Sequence, residues 1–144
     1  MKSSFNIYLS GGMKNLTMQQ QAGYRNFLSK KFTEFDSEIY NKVVVFNPVM
    51  YFNYEAQLHK TEKQIFNFEL NAVRRCDLLV VNFNDKRSIG TTVEMAVAYE
   101  NKIPVVGLLE HDTNDFHEWH REMCDVIFED INELIDYVQD YYLS

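Results

Sequence analysis

The stretch Leu78-Leu79-Val80-Val81-Asn82-Phe83 is a mostly apolar run, typical of a strand buried on both faces of a parallel sheet. The following segment, residues 87–98 (RSIGTTVEMAVA), predicts a short helix with Gly90, Thr91 and Glu94 in its first turn. In an open α/β sheet, ligands bind in the crevice beyond the carboxyl ends of the strands. We therefore expect Glu94 to face that crevice, and we take it as the candidate reactive group.

Outward from this unit, apolar runs alternate with segments of helical spacing. The predicted strands are Phe5–Leu9, Val43–Phe46, Leu78–Phe83, Ile103–Leu109 and Val126–Phe128. This alternation predicts parallel strands covered by helices on both faces, and right-handed crossovers make a doubly wound sheet the simplest topology. We therefore expect an α/β fold with a five-stranded parallel sheet, formed by residues 1–144 as one domain.

Composition and charge argue against several classes of function. The chain has a formal net charge of -7 and no stripe of Lys and Arg, which argues against binding to a nucleic-acid polymer. No run approaches the ~18 apolar residues of a membrane span, and no signal peptide is evident, so we expect neither. Cys76 and Cys124 form no CxxC pair, which predicts a reducing, cytoplasmic setting with both thiols acting as small apolar groups.

Two groups of crevice residues have both a structural and a functional interpretation. Thr91-x-x-Glu94 has the spacing of a capping box, in which Glu94 only closes the start of the helix. The reactive interpretation is favoured by Gly90, which lets a ligand approach the backbone, and by the Ser88 hydroxyl. Ser10-Gly11-Gly12 is either a plain turn or a second place of close approach, and it matches neither a dinucleotide fingerprint nor a phosphate loop.

A second carboxylate near Glu94 would suit retaining glycosyl transfer, which pairs a nucleophile with an acid/base group. Asp85 follows the third strand and is expected at the same edge of the sheet as Glu94. Asp77 precedes that strand and is expected at the opposite edge, unless the chain bends there. His117-x-x-His120 could place two imidazoles on one helix face, but zinc sites use closer-knit patterns, so we expect no metal.

Three segments together resemble the nucleoside 2-deoxyribosyltransferase family: Ile7–Met13, Asp77–Val81 and Ser88–Ala98. The spaced combination of a tyrosine, an aspartate and the sequence G-T-x-x-E carries the resemblance, which extends from the first strand to the fourth. The family implies a flavodoxin-like or Rossmann-like domain that uses no cofactor and breaks the N-glycosidic bond of 2'-deoxynucleosides. It also implies a homo-oligomer in which a neighbouring subunit completes the site.

By position in these segments, the resemblance implies roles for individual residues. Glu94 matches the nucleophile that attacks the sugar C1', Asp77 the acidic residue that handles the base and its proton, and Tyr8 the tyrosine that orients the nucleophile. Met123 and Asp125 are candidates for reaching a neighbouring subunit's pocket. Substrate contacts are implied for Ser10, Gly11, Gly12, Met13, Asn47, Ser88, Gly90 and Thr91.

Ser88 departs from the family pattern. Deoxyribosyltransferases typically carry an aspartate at this position, which holds the sugar 5'-hydroxyl, whereas the related deoxynucleoside 5'-monophosphate N-glycosidases use a serine for the phosphate. A hydroxyl at a helix N-terminus favours an anion that an aspartate would repel. The leading prediction is therefore a deoxyribosyltransferase acting on a small deoxynucleoside. A 5'-monophosphate N-glycosidase and a non-catalytic nucleotide-binding module are the alternatives.

Overall fold

Strands and helices alternate along the chain as predicted. The computed structural model describes residues 2–11, 18–48, 61–85, 87–110 and 116–144. The strands are β1 (Lys2–Gly11), β2 (Tyr40–Phe46), β3 (Leu78–Asn82), β4 (Val105–Leu108) and β5 (Val126–Phe128). The helices are α1 (Met18–Thr33), α2 (Glu62–Arg75), α3 (Ile89–Glu100), α4 (Glu118–Met123) and α5 (Ile131–Tyr141). Among these helices none is long and apolar enough to cross a membrane.

The strands form one parallel sheet in the order β2-β1-β3-β4-β5. This is the flavodoxin-like order, and it confirms the predicted doubly wound α/β fold. The chain first moves to one side of β1 and then to the other, so the reversal of strand order falls between β1 and β3. Ligands of doubly wound sheets bind at this point, beyond the carboxyl ends of the strands.

β1 extends further than predicted and determines what lies at the carboxyl edge. Ser10 and Gly11, expected in a loop, belong to the strand because they pair with Val81 and Asn82 of β3. The carboxyl ends of β1 and β3 therefore meet at the pair Gly11–Asn82.

Side chains alternate along β1 between two cores. Phe5, Ile7 and Leu9 pack on the face covered by α1 and α5. Tyr8 belongs to the second core, with residues from α2, α3 and the inner strands. Because strand side chains alternate between faces, Tyr8 and Ser10 share the face on which α3 lies. Cys76 and the partly buried Cys124 also belong to this second core, as free thiols whose pKa burial raises to about 12.

Candidate active site

Glu94 lies in the second turn of α3, one turn later than predicted. The helix is capped by Ser88, whose Oγ accepts hydrogen bonds from the Thr91 backbone N at 3.3 Å and from the Thr91 hydroxyl at 3.0 Å. The capping box proposed for Thr91 and Glu94 is therefore wrong, because a serine three residues earlier already satisfies the helix start. The Glu94 carboxylate is left free to serve another purpose.

Both oxygens of the Glu94 carboxylate accept a hydrogen bond from a hydroxyl of β1. The Tyr8 hydroxyl donates to Oε2, and Ser10 Oγ donates to Oε1 at 2.7 Å. The two donors stand two residues apart on the same face of one strand, so the sheet fixes the position of the carboxylate. Glu94 is only 8% exposed.

Two features of the environment of Glu94 shift its pKa in opposite directions. Burial raises the pKa of Glu94 above its ordinary value, whereas the hydrogen bonds from Tyr8 and Ser10 lower it. Burial and the Glu94 charge also raise the pKa of Tyr8 well above its ordinary value, so its hydroxyl remains a proton donor. Burial is the larger effect, so the pKa of Glu94 is raised overall. Directed hydroxyls thus hold the carboxyl group in a poorly solvated setting, and reactive carboxylates are often found in such surroundings.

A cavity of about 400 Å³ opens beside this carboxylate. Its volume lies within the range of small-molecule sites. Among the predicted substrate contacts it is lined by Ser10, Gly11, Ser88, Gly90 and Thr91. Ile65 and Phe66 of α2 and Ile89 of α3 add apolar side chains to the lining. Phe66 and Ile89 are 52% and 80% exposed, so apolar surface reaches the mouth of the cavity.

Glu69 of α2 also lines the cavity, and sequence reasoning missed it. Burial, followed by the Glu94 charge, raises the pKa of Glu69 to about 8. Its Oε1 is buried and has no hydrogen-bond partner among the described residues. A signal was present in the sequence, because Ile65, Glu69 and Val73 are spaced by four and lie on one face of the helix. Two carboxyls with raised pKa values therefore share this site.

Arg25 of α1 is a second residue of the cavity wall that the sequence reasoning missed. It is 1% exposed, and its Nη2 donates to the Gly11 carbonyl at 3.0 Å. Arg25, Leu28 and Phe32 stand at helical spacing, and the last two are core residues, so the buried position of Arg25 was readable from the pattern.

Gly11 lies at a close approach of the backbone to its neighbours. A Cβ there would lie 3.2 Å from the Asn82 carbonyl oxygen and 3.3 Å from Arg25 Nη2. The neighbouring strand backbone cannot give way easily, so a side chain at position 11 would displace the guanidinium or distort the strand pair.

Comparison with known protein families decides where this arrangement belongs. The model of a family described as nucleoside 2-deoxyribosyltransferase like matches residues 4–112, which is more than half of the chain. The chain belongs to the nucleoside 2-deoxyribosyltransferase-like family. No curated protein matches it significantly.

Three solved structures share the fold of this family member at low sequence identity. A conserved protein of Enterococcus faecalis has a TM-score of 0.75 at 16% identity, covering 96% of this chain and 99% of its own. The 2-deoxyribosyltransferase of Bacillus psychrosaccharolyticus has a TM-score of 0.68 at 18% identity, covering 92% and 91%. The CMP N-glycosidase of Clostridium botulinum has a TM-score of 0.61 at 18% identity, covering 94% and 98%. At these identities, the likeness concerns the fold.

The remaining acidic residues predicted for this deoxyribosyltransferase-like site lie elsewhere. Asp77 is exposed at the amino edge of β3, where its Oδ2 accepts from the Asn6 backbone N at 2.8 Å. The structure does not bring it to Glu94, because a residue that precedes a parallel strand lies at the opposite edge from the crevice. Asp85 accepts from the Arg87 backbone N at 3.1 Å through Oδ1 and does not line the cavity.

Five other residues predicted for the family site have different outcomes. Asn47 is buried directly after β2, next to Pro48, which lines the cavity. Met123 and Asp125 lie at the amino end of β5, so neither reaches Glu94 within the chain. The remaining two, Gly12 and Met13, lie outside the described residues.

The histidine pair gives no metal site in the described part of this family member. The His117 and His120 rings are 6.2 Å apart, and no group of three or more His, Cys, Asp or Glu side chains there could hold a metal ion. His120 Nε2 lies 2.8 Å from the Thr92 hydroxyl, and burial lowers its pKa.

Proposed function

We propose that this protein cleaves the N-glycosidic bond of 2'-deoxynucleosides and transfers the deoxyribose to another nucleobase through a covalent intermediate on Glu94. The observation that carries the proposal is a buried carboxylate at the wall of a nucleoside-sized cavity, with both oxygens held by the hydroxyls of Tyr8 and Ser10. Family membership supports glycosyl transfer or hydrolysis in general. The covalent step and the choice of transfer are our proposal.

In the first half-reaction, a Glu94 oxygen bonds to C1' while the C1'–N bond to the base breaks. The leaving nitrogen takes the proton from the neutral Glu69 carboxyl, which becomes a carboxylate. In the second, an acceptor base attacks C1' and the Glu94 ester bond breaks, while Glu69 takes the proton that the acceptor loses. Two displacements retain the anomeric configuration.

Glu69 replaces Asp77 in this scheme because of its position and its proton. It lines the same cavity as Glu94, and its pKa of about 8 leaves it protonated at neutral pH. The transition state carries positive charge at the sugar, and a missing 2'-hydroxyl withdraws less electron density from it. Deoxynucleosides should therefore react faster than ribonucleosides.

The direct test is intact-mass measurement of the protein mixed with a deoxynucleoside, with and without an added acceptor base. We expect a deoxyribosyl adduct that forms on the wild type, is absent in Glu94→Gln and disappears when acceptor is added. Glu94→Gln keeps the shape of the side chain and serves as the folded control. Tight nucleoside binding with neither adduct nor free base would favour the non-catalytic binding module instead.

Ser88 supports a second candidate, a 2'-deoxynucleoside 5'-monophosphate N-glycosidase. Ser88 lines the cavity at the N-terminus of α3, and the first turn of this helix contains no acidic residue. Backbone N–H groups at a helix start favour a phosphate. In that reaction, water replaces the acceptor base.

Ser88→Asp tests this candidate without removing the helix cap, because aspartate caps helices as well as serine does. We expect hydrolysis of a deoxynucleoside monophosphate to fall in Ser88→Asp while turnover of the matching deoxynucleoside is kept. Ser88→Ala separates loss of the cap from added charge. A monophosphate preference that persists in Ser88→Asp would remove Ser88 from phosphate binding.

Assembly is a further part of the proposal. The exposed Phe66 and Ile89 at the cavity mouth support a homo-oligomer in which a neighbouring subunit covers the site. Contributions of Met123 and Asp125 to a neighbour's cavity stay predictions. Light scattering on Phe66→Ser, compared with the wild type, tests whether this apolar mouth holds the subunits together.

A further inference from the structure

The cavity wall carries a charge pattern that the reaction scheme leaves unexplained. Among the described lining residues, Arg25 is the one basic side chain, and it shares the cavity wall with three carboxyls: Glu62, Glu69 and Glu94. Glu62 is exposed in the first turn of α2 and is solvated, whereas Glu94 is buried. The hydrogen bond to the Gly11 carbonyl fixes one end of the guanidinium at the end of β1.

Burying a charge in a protein costs free energy unless an opposite charge offsets it. One buried guanidinium can offset one buried carboxylate but not two. With Glu94 ionised and Glu69 protonated, the inner cluster carries one positive and one negative charge. With both ionised it carries an excess anion, and with both protonated an excess cation.

The phenols around this cluster do not alter this balance at neutral pH. Tyr8 donates to Glu94, and Tyr24 donates to the Ser10 carbonyl at 2.5 Å. Burial raises the pKa of Tyr24 to about 12 and that of Tyr8 well above its ordinary value, so both remain neutral. The Arg25 charge opposes this increase and lowers the pKa of both phenols. It also lowers the pKa of both inner carboxyls, Glu69 and Glu94.

We propose that Arg25 is a positioning residue that keeps Glu94 ionised while Glu69 holds a proton. Its single positive charge offsets the charge of one carboxylate. One of the two inner carboxyls, and not both, can therefore lose its proton near neutral pH. The catalytic consequence rests on the proposed function, because only the proposed chemistry needs a nucleophilic anion beside an acid. The charge balance itself does not depend on any substrate.

The test is a carboxyl ¹³C NMR titration of protein labelled at glutamate, with resonances assigned through Glu69→Gln and Glu94→Gln. In Arg25→Met we expect the midpoint of the Glu94 titration to rise by at least about one pH unit, the usual effect of losing an adjacent opposite charge. Arg25→Lys keeps the positive charge, so its Glu94 midpoint should differ from the wild-type value by less than half of that shift. Lys30→Met, an exposed lysine of the same helix, is the matched control and should change nothing.

Arg25→Gln covers the case in which Arg25→Met does not fold, because its amide can still donate to the Gly11 carbonyl while the charge is lost. Unchanged Glu69 and Glu94 midpoints in a folded neutral variant would overturn the inference, even in an active enzyme. Shifted midpoints in a protein that never releases base would support the inference and overturn the proposed function. In an active enzyme, the acid limb of the pH–rate profile should move with the Glu94 midpoint.

Discussion

The two edges of the sheet hold carboxylates in opposite ways. At the amino edge, Asp77 and Asp125 each precede a strand and pair with the backbone of the neighbouring strand. The Asp77 backbone N donates to the Asn6 carbonyl at 2.7 Å, and the Asn6 backbone N donates to Asp77 Oδ2 at 2.8 Å. Asp125 and Val105 form the same reciprocal pair, with both distances at 2.8 Å. Both aspartates are exposed.

At the carboxyl edge, the carboxyls are held by side chains and withdrawn from water. Glu94 accepts from the hydroxyls of Tyr8 and Ser10, and burial raises the pKa of both Glu94 and Glu69. The same functional group thus pairs with the backbone at one edge, whereas at the other it takes part in the chemistry that we propose. Solvation and the type of donor make the difference, because backbone N–H groups fix a structure whereas a buried, hydroxyl-held carboxylate is poised to react.

The largest predicted difference between the two edges is the loss of turnover when a carboxylate is replaced by an amide. Glu94→Gln should lower base release by at least about 10⁴-fold, as removal of a nucleophile does. Asp77→Asn removes a carboxylate charge of the amino edge but keeps an oxygen acceptor for Asn6, and should retain turnover within about two-fold. Single-turnover kinetics on one deoxynucleoside measure both. Near-normal turnover in Glu94→Gln would end the assignment of the nucleophile.

Glu69→Gln should lower turnover by about 10²–10³-fold, within the usual range for a general acid. The wild type should show a bell-shaped pH profile, rising as Glu94 ionises and falling near pH 8 as Glu69 loses its proton. Because the two carboxyls interact, the limbs report the pair. The alkaline limb should be missing in Glu69→Gln, and an unchanged limb near pH 8 would exclude Glu69 as the acid.

The same substitution has a consequence for stability. The pKa of Glu69 is raised from 4.5 to about 8 on folding, so the folded protein binds more protons than the unfolded chain between these values. The contribution of Glu69 to wild-type stability is fully present below pH 4.5 and is lost as pH rises towards 8. The Tm measured by thermal unfolding should therefore fall less between pH 6 and pH 9 in Glu69→Gln than in the wild type.

The fold was predictable because its signals are local and mutually consistent. The run at Leu78–Phe83 could only be a buried strand, and the alternation around it left few topologies. Glu94, Tyr8 and Ser10 were named as site residues from the resemblance and from the crevice expected after the third strand. The structure brings the three together, although Ser10 was expected in a loop. The position of Glu94 in the second turn was not predicted, because the capping-box spacing of Thr91 and Glu94 indicated a helix start three residues after the actual cap, Ser88.

The missing part of the site comes from polar residues on helices. Glu69 and Arg25 read as solvated positions of amphipathic helices, although their spacing to core residues places them on buried faces. A single sequence does not give the relative positions of α1 and α2, which bring these side chains to the same cavity. Asp77 shows the reverse: its place before a strand indicated the amino edge, but we preferred the catalytic role that the resemblance implied. Asp77 lies at the amino edge.

Smaller effects are expected from the hydroxyls that hold the nucleophile. Tyr8→Phe and Ser10→Ala each remove one donor to Glu94, and each should lower turnover by roughly 10–10²-fold, since a hydrogen bond to a charged group is worth about 1.5–3 kcal/mol. The midpoint of Glu94 titration should rise in both variants, because each bond favours the charged form. A loss of activity with an unchanged midpoint would mean that the hydroxyls act on the substrate and not on Glu94.

The smallest effect on turnover, and the sharpest contrast between the edges, is expected at the amino edge. Asp77→Ala and Asp125→Ala each leave a strand backbone N–H without its side-chain acceptor, at a cost of about 1 kcal/mol. Each should lower the Tm by a few degrees, whereas the asparagine variants, which keep an acceptor, should remain near the wild-type Tm. In Asp77→Ala, turnover should be nearly unchanged. If Asp77→Ala lost turnover in the folded state by as much as Glu69→Gln, Asp77 would have to reach the reacting base, and the two edges would not divide structure from chemistry.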